Sequence, residues 1–230
     1  MSEGTNGKSM WVKSGDAQKN NALWRMPEWF PDTPSQVMEM LKGYHTELLK
    51  FNLRLNLVAR TTEREADEVH FADCYQACKL ITKAGLGSVV HDVGSGNGLP
   101  GIILGILNPN TAINLIESDN RKCEFLKHTA NVLQLKNVKV MTVRLETLKA
   151  ANIAVGVTRG FASLSKTMLL CNKIFGKGGR FFHLKSAAWS SEVADIPSQI
   201  LSHWSPELLG EYSLPVSQAR RGVIVTTKIA

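Results

Sequence analysis

The chain has 230 residues, 43% hydrophobic and 20% charged, with 27 Lys and Arg against 20 Asp and Glu. That length suits one α/β domain with a small appendage, and the apolar content excludes wholesale disorder. No apolar run reaches the roughly 18 residues of a membrane span, no secretory h-region opens the chain, and no C-x-x-C pair marks a zinc site or a disulfide framework.

Residues 1–26 are rich in Ser, Gly, Asn and Lys and show no hydrophobic period, so they read as a mobile tail, with Trp11 and Trp24 as local anchors. Order is expected to begin near Pro31, where Thr33 can cap a helix, Pro34 takes its first position and Gln36 completes a capping box. Val37, Leu41, Tyr44 and Leu48 then fall at helical spacing. A second helical pattern runs from Arg64 to Lys83, with Val69, Ala72, Cys78 and Ile81 as buried candidates. Residues 27–86 are therefore expected to form an amino-terminal helical subdomain.

From Gly87 the pattern alternates. Strand-like runs at Ser88–Val93, Ala112–Glu117, Val138–Val143, Ile153–Thr158 and Arg180–Leu184 are separated by helical stretches at Leu99–Leu107, Asn120–Leu135 and Ser163–Phe175. Such alternation predicts a parallel sheet with helices on both faces over residues 87–230. A helix at Trp189–His203 and two β-rich runs, Glu207–Leu214 and Gly222–Ile229, follow, the runs close enough to form an antiparallel hairpin at one end of the sheet.

The sharpest local signal is Asp92-Val93-Gly94-Ser95-Gly96-Asn97-Gly98-Leu99-Pro100-Gly101, an apolar strand entering a glycine turn. In a parallel sheet ligands bind beyond the carboxyl ends of the strands. Gly96, Gly98 and Gly101 match the dinucleotide fingerprint, whereas Gly94, Gly96 and Gly98 match the G-x-G-x-G of S-adenosylmethionine enzymes. Asp92 favours the second ligand, because a carboxylate aimed at the site repels a pyrophosphate and tolerates an ammonium and a sulfonium. Glu117, ending the next strand, can accept hydrogen bonds from a ribose diol, which both ligands carry. A nicotinamide-dependent oxidoreductase stays open at this point. The net charge of +7 favours a polyanionic partner, and the window from Thr147 to Ser191 holds Lys149, Arg159, Lys166, Lys173, Lys177, Arg180 and Lys185 without one carboxylate.

These motifs stand in an order that resembles the ribosomal RNA small-subunit methyltransferase G family, also called glucose-inhibited division protein B. Asn52-Leu53-Arg54-Leu55-Asn56-Leu57 is similar to its N-x-x-x-N-L, and His70-Phe71-Ala72-Asp73 to its H-x-x-D. Asp92 to Gly101 is similar to D-V-G-[ST]-G-x-G-L-P-G, and Arg159-Gly160-Phe161-Ala162-Ser163-Leu164 to R-A-F-A-S-L. Glu117-Ser118, Arg121-Lys122 and Phe125-Leu126 extend the match, as does Leu184-Lys185. Val58, Val69, Cys74 and Ser186 depart from the family's usual Thr, Arg, Ser and Gly.

The resemblance implies a Rossmann-like class I sheet and S-adenosylmethionine as cofactor. It also implies methylation of guanine N-7 in small-subunit ribosomal RNA, at guanine-527 of the 16S molecule. The resemblance puts cofactor contacts on Gly94, Leu99, Leu145, Glu146 and Arg159, and the reading of the loop and second strand adds Asp92, Gly96, Gly98 and Glu117. Arg159 is expected to orient the base edge or a flanking phosphate, and Arg144 and Lys185 to hold RNA phosphates, with Arg159 and Lys185 as the catalytic pair. His70 contacts RNA or fixes the subdomain. Phe161 stacks on the base or fills the core, and Arg220-Arg221 extends the basic surface or forms a solvated turn. No metal is expected, and the protein reads as a cytoplasmic monomer acting on free RNA or a ribosomal particle. The place after the fourth strand lacks the Asn- or Asp-Pro-Pro-aromatic motif of amine methyltransferases, and Cys171 reads as core, not as a nucleophile. Methyltransferases of another RNA or a small molecule, and a non-catalytic RNA-binding module, remain as alternatives.

Overall fold

The computed structural model describes residues 21–230. Trp11 and the bulk of the expected tail lie outside the described residues. Within them, order starts earlier than Pro31. Trp24 packs edge-on against Phe71 and lies 5.0 Å from the His45 ring. Arg25 forks onto the buried Asp67, with Nη2 and Nε at 2.9 and 3.0 Å. A four-residue helix α1 (Met26–Trp29) follows, opened by Pro27.

The long helix α2 (Ser35–Leu55) begins one residue later than expected and lacks the capping box. Thr33 instead shares a 2.6 Å hydrogen bond with the Tyr75 hydroxyl, so its oxygen ties two segments together and caps nothing. The second helical segment is two pieces, a π-helical turn Asp67–Ala72 and helix α3 (Asp73–Lys83). The wide turn swings His70 and Val69 off the core side, and Val69 is only half-buried where a buried residue was expected. Tyr44, Leu48, Phe71, Cys78 and Ile81 are fully buried between these helices and the sheet.

The sheet has seven strands: β1 (Val89–Val93), β2 (Ala112–Glu117), β3 (Val138–Thr142), β4 (Ile153–Arg159), β5 (Phe175–Ser186), β6 (Trp204–Ser213) and β7 (Arg220–Lys228). Their order is β3-β2-β1-β4-β5-β7-β6, parallel from β3 to β5 and antiparallel at β5–β7 and β6–β7. The terminal hairpin lies at the sheet's end as expected. Strand β5 starts at Phe175, five residues before the expected Arg180, and Phe175 stacks on Phe181 at 4.7 Å.

Helices α4 (Gly101–Leu107) and α5 (Asn120–Val132) cover the same face as α2 and α3. Asp119 caps α5, accepting from the backbone of Arg121 and Lys122 at 2.8 and 3.1 Å. Helices α6 (Leu164–Cys171), α7 (Trp189–Ala194) and α8 (Ser198–Leu201) cover the other face around Phe181, Trp204 and Ile224. The single helix expected over Trp189–His203 is two, because Pro197 cannot donate to a continuing helix and starts a new one. No described helix is long and apolar enough to cross a membrane.

Candidate active site

Strand order reverses direction at β1, which has β2 on one side and β4 on the other. A ligand crevice is expected beyond the strand ends at such a switch point. A cleft of about 790 Å³ lies there, within the usual range for a small-molecule site.

Its floor is the loop after β1. Gly94 and Gly96 have φ of 69° and 53°, conformations that favour glycine. A Cβ on Gly94 would stand 2.4 Å from the Phe161 ring, so this glycine lets the loop and the ring pack together at the cleft wall. The backbone amides of Gly94 and Ser95 both donate to the Ile116 carbonyl at 3.0 Å. Outside the loop, the buried Tyr44 hydroxyl donates to the Asn97 carbonyl at 2.6 Å, and the Asn97 amide donates to Leu57 at 3.1 Å. The amino-terminal helices thus fix the loop's shape.

Two members of the expected cofactor set do not face the cleft. Asp92 is 1% exposed and turns beneath the loop, where its Oδ2 accepts the Gly101 amide at 3.0 Å. The acidic wall expected from Asp92 is therefore not there. Burial, partly offset by that amide, raises its carboxyl to about 7. Gly98 also lies outside the cleft: a Cβ there would stand under 3 Å from Ile102, Leu126 and the Tyr44 hydroxyl, so packing requires it. On the β2 side the cleft's fixed acid is Glu117. Its Oε2 accepts Gly96 N–H at 2.9 Å, and its Oε1 accepts the amides of Ser118 and Asp119. Gly94, Gly96, Leu99, Leu145 and Glu146 line the cleft with it, as do Val143 and Arg144.

Across β1, the ends of β4, β5 and β7 bring Arg159, Lys185 and Arg221 to the same cleft. Arg159 is pinned on three sides. Its Nε donates to Asp73 Oδ2 at 3.2 Å, and its Nη2 reaches the Val69 carbonyl at 3.1 Å and His70 Nδ1 at 3.0 Å. Accepting at Nδ1 leaves the His70 proton on Nε2, 3.0 Å from Thr62 Oγ1. Burial, then the charge of Arg159, hold His70 down to about 3, so it is neutral.

Lys185, expected to hold RNA phosphate, is already engaged within the protein. Its Nζ donates to Glu192 at 2.8 Å and to the Ala162 carbonyl at 3.0 Å, and Glu192 also accepts the Leu164 amide at 2.9 Å. The reason is topological: Glu192 lies one residue beyond the carboxylate-free window and folds back onto it. The ion pair braces the turn that carries Phe161. That window is also not one face. Arg180 donates to the carbonyls of Ala84 and Gly85 before β1, and Lys149, Lys173 and Lys177 stand before or near the starts of β4 and β5, away from the cleft end.

Sequence reasoning missed three groups here. Asp73, 4% exposed, receives Arg159, the Tyr212 hydroxyl at 2.7 Å and Arg221 Nε at 3.6 Å. The H-x-x-D pattern marked Asp73 without its role, and Arg221 read as basic surface or turn. Cys171 is core as expected, its thiol pushed by burial to about 12. Among the described residues no cluster of His, Cys, Asp or Glu could hold a metal ion.

The chemistry of the lining fits a nucleoside with a cationic tail. Two positive-φ glycines give close approach, Glu117 offers carboxylate oxygens at the end of β2, and no basic residue stands in the loop from Gly94 to Leu99. Known proteins agree. The family profile described as GidB, rRNA small subunit methyltransferase G, matches residues 37–208. The chain is 45% identical over 208 residues to ribosomal RNA small subunit methyltransferase G 3 of Bdellovibrio bacteriovorus, covering 90% of this chain and 94% of that one. It is 34% identical over 174 residues to ribosomal RNA small subunit methyltransferase G of Paracoccus denitrificans, covering 76% and 87%. Two solved structures share the fold at 13% identity. One is a SAM-dependent methyltransferase from Aquifex aeolicus (TM-score 0.54, covering 74% of this chain and 99% of that one). The other is a variant of MtNAS in complex with S-adenosylmethionine (TM-score 0.55, covering 84% and 73%). With a Rossmann-like methyltransferase sheet, a glycine cleft at its switch point and this extent of identity, the chain belongs to the rRNA small subunit methyltransferase G family.

Proposed function

We propose that this chain transfers a methyl group from S-adenosylmethionine to N-7 of a guanine in small-subunit 16S ribosomal RNA, guanine-527 by family resemblance. The observation that carries the reading is the division of the cleft at β1. One side offers Gly94, Gly96 and Glu117 to a nucleoside, and the other offers the guanidiniums of Arg159 and Arg221 to a nucleic acid.

When bound, S-adenosylmethionine supplies an electrophilic methyl on a sulfonium. Guanine N-7 carries a lone pair and no proton, so the reaction needs no general base. Beside Arg159, His70 is neutral and already bonded on both nitrogens, and Asp73, Glu117 and Glu192 accept hydrogen bonds from the protein. Positioning is then the main task, and holding two reactants in line can contribute ~7–11 kcal/mol. Glu117, Leu145 and Glu146 are proposed to seat the nucleoside with the Gly94–Leu99 loop. Arg159 is proposed to meet the guanine edge or its flanking phosphate, its three acceptors fixing the guanidinium before RNA arrives. Arg144, exposed at the rim, is proposed as a phosphate contact. Lys185 is proposed to brace the Arg159–Ser163 turn through Ala162 and Glu192, acting on RNA only indirectly. The protein is further proposed to act as a cytoplasmic monomer.

The test is transfer of labelled methyl to ribosomal RNA, both naked and assembled in small subunits, followed by mass-spectrometric mapping. Label at N-7 of one guanine is expected. No label on either substrate, or label on an exocyclic amine or a pyrimidine carbon, refutes the proposal.

A further inference from the structure

One buried carboxylate in the cleft does more than accept from Arg159. Asp73 opens α3 and is 4% exposed, yet three groups from three different strands converge on it. Arg159 from β4 donates through Nε at 3.2 Å, Tyr212 from β6 through its hydroxyl at 2.7 Å, and Arg221 from β7 faces it through Nε at 3.6 Å. Both arginines line the cleft, and each keeps about a fifth of its side chain exposed. Burial, then the neighbouring carboxylate, push the Tyr212 phenol well up, so it stays a donor.

We infer that Asp73 is a positioning residue for the transfer step, holding Arg159 and Arg221 as a pair and cancelling one of their two charges beside the guanine. The inference deepens the proposed function and rests on it. Methyl transfer breaks the sulfur–carbon bond, returns its electron pair to sulfur, and forms a nitrogen–carbon bond with the N-7 lone pair. The positive charge leaves the sulfur and appears on the guanine ring. Two uncompensated guanidiniums beside that ring would oppose the charge as it develops. One carboxylate shared between them keeps their donors aimed and halves their net charge. Ground-state RNA is affected in the opposite sense, because a more positive cleft attracts phosphates. A residue that merely holds strands together would not separate the two effects.

Asp73→Asn tests this, since the amide keeps an oxygen acceptor and removes the charge. Cofactor affinity, measured by calorimetry, is expected to stay within twofold. Affinity for a single-stranded RNA of the target loop is expected to be equal or tighter. Single-turnover methylation is expected to fall on the order of 100-fold, the scale of a small misplacement of reacting groups. Tyr212→Phe serves where Asp73→Asn does not fold: it frees the carboxylate from its shortest bond, and a loss of turnover of about threefold or more with unchanged RNA affinity is expected. Wild-type turnover in the variant that folds overturns the inference, and so does RNA affinity falling in step with turnover. Wild-type protein that methylates no RNA removes the proposed function, and this inference with it, in a measurement that contains no variant.

Discussion

Replacing Asp92 with Asn perturbs the one carboxylate of the glycine-loop strand while leaving its shape. The wild-type group is 1% exposed, one of its oxygens has no partner among the described residues, and burial raises it from 3.8 to about 7. A carboxyl raised on folding binds its proton more tightly in the folded state. Its ionisation therefore destabilises the fold above about pH 7, and that cost fades as pH falls towards the unfolded value. At about 1.36 kcal/mol per pKa unit, the ionised group costs about 4 kcal/mol at pH 8. Between pH 8 and pH 5.5 roughly 2 kcal/mol of this is relieved in the wild type. The amide cannot titrate, so the stability of Asp92→Asn relative to wild type should shrink by roughly 2 kcal/mol over that interval. The difference is the useful quantity, because His45, His70 and His183 are lowered to about 4, 3 and 3 by burial and lose stability in acid in both proteins alike. Urea unfolding of both proteins without cofactor, at four pH values and with equal m-values, measures it. A difference that stays constant with pH, or grows as pH falls, refutes the placement of this carboxylate.

Three further outcomes are expected. Gly94→Ala places a methyl 2.4 Å from the Phe161 ring at φ 69°, so S-adenosylmethionine affinity should fall at least about tenfold by calorimetry while circular dichroism is retained. Glu192→Gln leaves Lys185 without its anion and loosens the turn at Ala162; kcat/KM on RNA should drop about tenfold with cofactor affinity unchanged, and equal loss of both would place Lys185 elsewhere. His70 stays neutral down to about 3, so kcat between pH 6 and 8 should show no step that His70→Asn removes; such a step would mean the imidazole titrates during turnover.

Much of the sheet was legible because its central parallel strands, largely buried, read as short apolar runs, and four of the first five strands fall within one residue of expectation at each end. Strand β5 was the exception. Gly176, Gly178 and Gly179 interrupt its apolar run, and only its register beside β4 and β7 shows that the strand starts at Phe175. Trp24 was legible as an anchor but its partners were not, and Arg25 escaped altogether, because His45, Phe71 and Asp67 are distant in sequence and leave no period. In the site, the glycines announced a loop, but local sequence does not tell which side of a loop an atom faces. Asp92 and Gly98 thus turned out to lie beneath it. The contacts of Arg159 with Asp73 and His70 join residues 86 and 89 apart, and only the folded sheet brings them together.

The basic window shows how far composition can carry such an argument. Seven cations without an acid suggested one surface for a polyanion, yet strands β4 and β5 run from one end of the sheet to the other within that window. At about 3.3 Å per residue, the seven residues of β4 separate its ends by roughly 20 Å. Lys149, Lys173 and Lys177 stay near the starts of the strands, and Arg159 and Lys185 arrive at the cleft. The two that arrive are both engaged within the protein, one by Asp73, Val69 and His70, the other by Glu192 and Ala162. A cleft whose cations are fixed in this way loses some general attraction for phosphate. In return its donors need no rearrangement when the guanine arrives, which suits a reaction that asks the protein for alignment and little else.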